Sequence, residues 1–226
     1  MARFTLIITL FIQLMNQAQS IKENNKLYNY IRETTQTFKL IDKNRKKQLN
    51  EIANYITEKR RKNEVVKLVF ICTHNSRRSH FGEAWARAAA LYYNIPNVET
   101  YSGGTEATAA NYRTMQALVR AGFIHTVEEK KENPKNILRV SEHDSGKVHF
   151  SKKYNDDYNP KNGFAAIMVC NTADEACPVV FGAEKRFAIP YNDPKISDNT
   201  PQETATYDER CRQIAREMLY VFSKVK

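Results

Sequence analysis

Residues 65–79 read VVKLVFICTHNSRRS, and the rest of the chain is placed outward from them. Val65 to Cys72 is a near-continuous run of β-branched and aromatic residues, the pattern of a strand buried on both faces of a parallel sheet. It stops in polar residues, Thr73 to Ser79, and from His80 the sequence HFGEAWARAAAL predicts a helix. A strand therefore runs into a short loop, and the loop opens a helix. Anions bind at such a start because unpaired amide N–H groups and the helix dipole both point at the ligand. Thiols there ionise readily, and the thiolate is the nucleophilic form. Arg78, six residues after Cys72, can close over a tetrahedral oxyanion with a bidentate fork.

Further strands are expected at 98–102 (VETYS, running into Gly103-Gly104), 164–170 (FAAIMVC) and 186–190 (RFAIP). Between them, Tyr112 to Ala121 predicts a helix with Gly122 as its C-cap. An amphipathic helix carries Cys211, read as a packed or surface thiol, and Thr200-Pro201-Gln202-Glu203 gives a capping signature for its start. Strands alternating with helices imply an α/β fold with a parallel sheet. Cys72 then lies at a strand's carboxyl end, where such sheets bind ligands. Residues 125–162 are charged and turn-rich. Within them 137–140 (ILRV) and 147–150 (KVHF) flank SEHDSG and predict a hairpin that either borders the site or is surface.

Two later motifs bear on the chemistry. Cys170 and Cys177 stand in a C-x6-C-P pattern after the third strand, and Tyr191-Asn192-Asp193-Pro194 follows the fourth. Together with Cys72-x5-Arg78-Ser79, these resemble the low-molecular-weight protein-tyrosine phosphatase superfamily, and within it the thioredoxin-coupled arsenate reductases. The phosphatases share the phosphate loop and the Asp-Pro loop but lack the second cysteine pair. The matched stretch runs from about Val65 to Lys226, with the three motifs in the family's order.

The resemblance implies a four-stranded parallel sheet flanked by helices, with Thr73, His74, Asn75, Ser76, Arg77 and Ser79 forming the oxyanion-binding loop. For arsenate it implies that Cys72 attacks arsenic, Arg78 holds the oxygens, and Cys170 and then Cys177 carry the resulting disulfide outward to a thioredoxin-like dithiol donor. For phosphotyrosine it implies a phosphocysteine at Cys72 with Asp193 as general acid. Arsenate, phosphate or phosphotyrosine is thus the expected substrate, with the reductase reading placed first. Cys170 and Cys177 as a plain structural disulfide is the alternative in an exported protein. Two positions depart from the family. His74 stands where Gly is usual and either alters the loop geometry or brings an imidazole to the anion, and Arg77 stands where a second loop cysteine is usual and adds positive charge. Asn75 suits a left-handed backbone, and Ser79 can hydrogen-bond the Cys72 sulfur. Glu83, one helical turn past Ser79, either ties the loop from behind or is a surface residue.

The two ends of the sequence differ from this core. Residues 1–20 have a positive start, an apolar run from Phe4 to Met15, and small residues at Ala18 and Ser20, the three-part pattern of a secretory signal peptide. Export to the periplasm is expected, with a cytoplasmic protein if that segment is not used. Its apolar run is short for a membrane span, so no stable membrane insertion is expected after cleavage. Residues 21–64 contain twelve Lys/Arg, six Asp/Glu and no Gly or Pro. Leu27, Ile31 and Phe38, then Leu49, Ile52 and Ile56, recur at helical spacing, and Asp42 can cap the second helix. This basic extension is read as a solvated helical pair packed on the domain of residues 65–226. No aromatic platform interleaves its charges, so nucleic acid is not an expected partner. Overall the 226 residues carry net charge +10 and are 42% hydrophobic, which excludes a disordered chain and suits an anionic substrate. The spacing of His80, His125, His143 and His149 is not that of paired zinc ligands, so no metal or other cofactor is expected. A non-catalytic anion-binding adaptor is the third reading. Cys72, Arg78 and Asp193 together argue against it.

Overall fold

A computed structural model describes residues 21–128, 132–176 and 179–226. The export signal read at 1–20 and the thiol of Cys177 lie outside the described residues.

Strand β1 (Val66–Cys72) is buried along almost its whole length, as its unbroken apolar run requires. It leads into helix α3 (Arg78–Tyr92) and then β2 (Val98–Gly104), which pairs with β1 in parallel from Val66↔Val98 to Cys72↔Gly104. On the other side of β1 lies β6 (Phe164–Met168), followed by β7 (Ala183–Ala188), giving the parallel order β2-β1-β6-β7. The chain steps one way from β1 to β2 and later returns to the opposite side. Such a reversal opens a crevice at the carboxyl ends of the central strands, and Cys72 stands at that edge.

The long C-terminal helix α6 (Glu203–Ser223) packs on α3 and on α4 (Tyr112–Ala121). Gly122 caps α4 at φ +112°, where a side chain is disfavoured and its Cβ would fall 2.6 Å from Leu27 Cα. The basic extension forms α1 (Asn25–Thr35) and α2 (Lys43–Arg61), both of which touch α6. Leu27, Ile31, Leu49, Ile52 and Ile56 are fully buried there, so its apolar stripes complete the core. Asp42 caps α2 by accepting from the Arg45 N–H at 2.9 Å.

The expected hairpin is present as β4 (Asn136–Arg139) and β5 (Lys147–His149), but β3 (Ile124–Val127) joins it to make a three-stranded antiparallel sheet. β3 is short and half-polar, so no alternation announces it. The capping signature at 200–203 is corrected. Helix α6 starts at Glu203 after Gln202, which caps through no side chain, and Pro201 lies in the preceding turn. Glu203 instead accepts from the Asn199 N–H at 2.6 Å and pairs with Arg113 at 2.7 Å.

Candidate active site

Cys72 is buried at the tip of β1, with its Sγ 3.1 Å from the Ser79 hydroxyl in the first turn of α3. The loop between them is held from every side. Asn75 adopts φ +44°, and its side chain donates to Ser79 Oγ at 2.8 Å and accepts from the Lys152 N–H at 2.9 Å. The Ser151 hydroxyl donates to the His74 carbonyl at 2.8 Å, and the Ser76 hydroxyl donates to Ala109 O at 2.8 Å. Gly104 lets β2 lie flush against the loop, since a Cβ there would fall 2.6 Å from Thr73 O and 2.8 Å from Asn75 N. The segment after β5 thus clamps the loop directly, so the insertion borders the site.

Arg78 reaches across to the Asp-Pro loop. Its guanidinium donates to Tyr191 O at 3.1 Å and to Asp193 at 2.8 Å. Asp193 is half-buried and also caps the short 3-10 turn Pro194–Ser197 by accepting from the Lys195 N–H. Arg77 donates to the Tyr207 hydroxyl at 2.8 Å, lies 3.3 Å from Asp198 and comes within 3.9 Å of Asp193. The Tyr207 hydroxyl also bonds Asp198 at 2.7 Å, an anchor that the sequence motif does not signal. His74 points outward beside Glu106 at 3.5 Å, so of its two readings the one that brings an imidazole to the anion does not fit this placement.

Cys170 lies just past β6. Its Sγ is buried, 3.5 Å from the Thr73 hydroxyl of the loop and 3.4 Å from the Ala173 N–H. Two thiols therefore flank one loop residue on adjacent strands. The segment after Cys170 forms a short helix α5 (Asn171–Ala176). Cys211 is a packed thiol far from this loop in sequence, accepting from the Trp85 indole N–H at 3.3 Å, with burial pushing its pKa up to about 12.

Glu83 is not a surface residue. It is fully buried behind the loop, facing His149 at 3.2 Å. His80 and His149 are equally buried, and sequence spacing missed the cluster because its members come from α3 and β5.

No protein-family model matches the chain. It is 25% identical over 158 residues to the arsenate reductase of Bacillus licheniformis, spanning 70% of this chain and 94% of that protein. It is 24% identical over 145 residues to the arsenate reductase of Shouchella clausii, spanning 64% of this chain and 86% of that one. By these likenesses the chain is similar to arsenate reductases, and its sheet has the strand order of the low-molecular-weight phosphotyrosine phosphatase fold. These likenesses, with Cys72 at the tip of β1, support a cysteine-dependent oxyanion enzyme. Similar solved structures include a low-molecular-weight phosphotyrosine phosphatase from Vibrio cholerae O395, with TM-score 0.49 and 14% identity over 70% of this chain and 95% of that one. An arsenate reductase in the phosphate-binding state aligns at TM-score 0.45 and 15% identity over 72% of this chain and all of the other. At such scores the fold rests on the strand order and parallel pairing described above, not on superposition.

Proposed function

We propose that this protein reduces arsenate to arsenite through a relay of Cys72, Cys170 and Cys177. The observation supporting this reading is the second thiol, Cys170, packed on the Thr73 side chain of the loop that starts at Cys72. The Cys72 sulfur attacks arsenic, water leaves, and Arg78 holds the oxygens once Asp193 releases it. Cys170 then attacks the Cys72 sulfur. The sulfur–arsenic bonding pair stays on arsenic, which becomes arsenite, while the two thiols lose two electrons as a disulfide. Cys177 next attacks Cys170, freeing Cys72, and an external thioredoxin-like dithiol reduces the Cys170–Cys177 disulfide.

The alternative is phosphotyrosine hydrolysis through a phosphocysteine at Cys72. The position of Asp193, 2.8 Å from Arg78 at the mouth of the loop, favours it, because a general acid must stand where the leaving oxygen emerges. Paired assays separate the two. Arsenate-dependent oxidation of a dithiol and release of an aryl phosphate are followed on wild type, Cys72→Ser and Cys170→Ser/Cys177→Ser. The relay requires arsenate turnover to vanish in both variants. Aryl phosphate hydrolysis lost only in Cys72→Ser, with no arsenate turnover in wild type, selects the phosphatase. Export through residues 1–20 belongs to the same proposal, and an alkaline phosphatase fused to that segment but inactive outside the cytoplasm would sink it.

A further inference from the structure

Behind the phosphate loop, three side chains that the proposed chemistry does not use converge in the interior. His80 and Glu83 come from α3 and His149 from β5, at 0%, 0% and 1% exposure. His149 Nδ1 lies 3.2 Å from Glu83 Oε2 and 3.3 Å from His80 Nδ1, and the donor atoms of all three fall within 4.8 Å of one another. Zinc bonds nitrogen and oxygen at about 2.0–2.1 Å, so two donors on a tetrahedral ion are separated by about 3.3–3.4 Å. The two close contacts, at 3.2 and 3.3 Å, lie near that length.

Protons alone leave the group poorly satisfied. A neutral His149 has at most one proton on Nδ1, and both the Glu83 carboxylate and His80 Nδ1 face it. Among the described residues, neither Glu83 oxygen has a hydrogen-bond partner. Buried polar atoms without partners are rare, and an ion is one of the few things that explains them. Burial, with Lys152 nearby, holds both imidazoles neutral, His80 with its pKa pushed down to about 3 and His149 well below its ordinary value. Neutral imidazole is the form that binds metal. The Ser102 hydroxyl, 3.2 Å from His80 Nδ1, is a fourth donor at hand.

We infer that His80, Glu83 and His149 form a binding site for a divalent transition metal of the zinc class. Two imidazoles and a carboxylate suit zinc rather than magnesium or calcium, which prefer all-oxygen shells. Lys152 is itself 2% exposed, and its burial favours the neutral amine. The site is structural, because Lys152 and Ser151 also clamp Asn75 and His74 of the phosphate loop. The ion would brace that loop from behind without touching the anion.

Thiolates also bind zinc, so the test uses the full chain carrying Cys72→Ser, Cys170→Ser and Cys177→Ser. It is dialysed against Zn²⁺ alone and its metal content is read by atomic emission. One equivalent per chain is expected, with a melting temperature that rises with free zinc. Adding His149→Gln should abolish both, with circular dichroism confirming the fold. Glu83→Gln replaces it if that variant does not fold. No stoichiometric zinc in the cysteine-replaced chain overturns the inference, and so does equal zinc in a folded His149→Gln or Glu83→Gln chain. The readout is metal content, so it is independent of whether arsenate or a phosphoester is turned over.

Discussion

Arg45, on the basic extension, should be a determinant of both stability and turnover. It stands on α2, yet its Nε lies 2.9 Å from Glu217 of α6, and its Nη2 donates to Ile189 O and Pro190 O at 3.1 Å each. Its guanidinium also lies over the Tyr191 ring, 4.8 Å from the centroid. The Tyr191 hydroxyl in turn donates to Glu217 at 2.7 Å. Burial works against the Arg45 charge, but Tyr191 and Glu217 outweigh it and raise its pKa. Arg45→Met would strand the Glu217 carboxylate with one neutral donor. Breaking one side of a buried pair costs about 3–5 kcal/mol, a large share of the roughly 5–15 kcal/mol that holds a domain together. The same change frees the carbonyls that lead into Tyr191–Asp193, and a loop displaced by about 1 Å can cost about 10²-fold in rate. Urea unfolding should show a lower midpoint at unchanged slope, and turnover should fall in step with loop order. Lys47→Met, on the exposed face of the same helix, should stay within about 0.5 kcal/mol. A loss below about 1 kcal/mol in Arg45→Met would refute the reasoning, because Glu217 would then have found water or another partner.

The remaining predictions concern the loop and its surroundings. His80 and His149 are held neutral by burial among Glu83, Lys152, Lys147, Arg87 and His125. In the unfolded chain they take up protons near the ordinary value of 6.5, so acidification favours unfolding. Between pH 6.5 and 5.5 the loss should be about 1 kcal/mol per imidazole. It should shrink in His149→Gln, and a urea midpoint with the same pH slope in both proteins would contradict this. Gly104→Ala should cost about 1–3 kcal/mol by overpacking against Thr73 and Asn75; thermal melting checks it, and a neutral result would mean that the loop is free to shift. Asp193→Asn should lower any aryl phosphate hydrolysis by about 10²–10⁴-fold while sparing arsenate-dependent dithiol oxidation. Equal losses in both assays would place Asp193 in holding Arg78 rather than in acid catalysis.

Sequence alone determined the parts of this protein written in short-range pattern. The run from Val65 to Cys72 could only be a doubly buried strand, and the polar break before an alanine-rich stretch could only open a helix. Spacing fixed Cys72 and Arg78 at the two ends of one loop, and Gly122 and Asp42 as caps, because each depends on residues within one or two turns. Tertiary structure decided what depends on distant partners. Arg77 turns to Asp198 and Tyr207, and Asp193 pairs with Arg78, since charges that leave water need partners wherever the fold supplies them. Glu83 is buried beside His149 from a strand 66 positions on, and no periodicity on α3 could reveal that neighbour. The basic extension reads as two solvated helices by composition, but one of its arginines reaches the interior and braces the Asp193 loop. A side chain's environment is set by whatever packs against it, and for these residues that partner comes from another part of the chain.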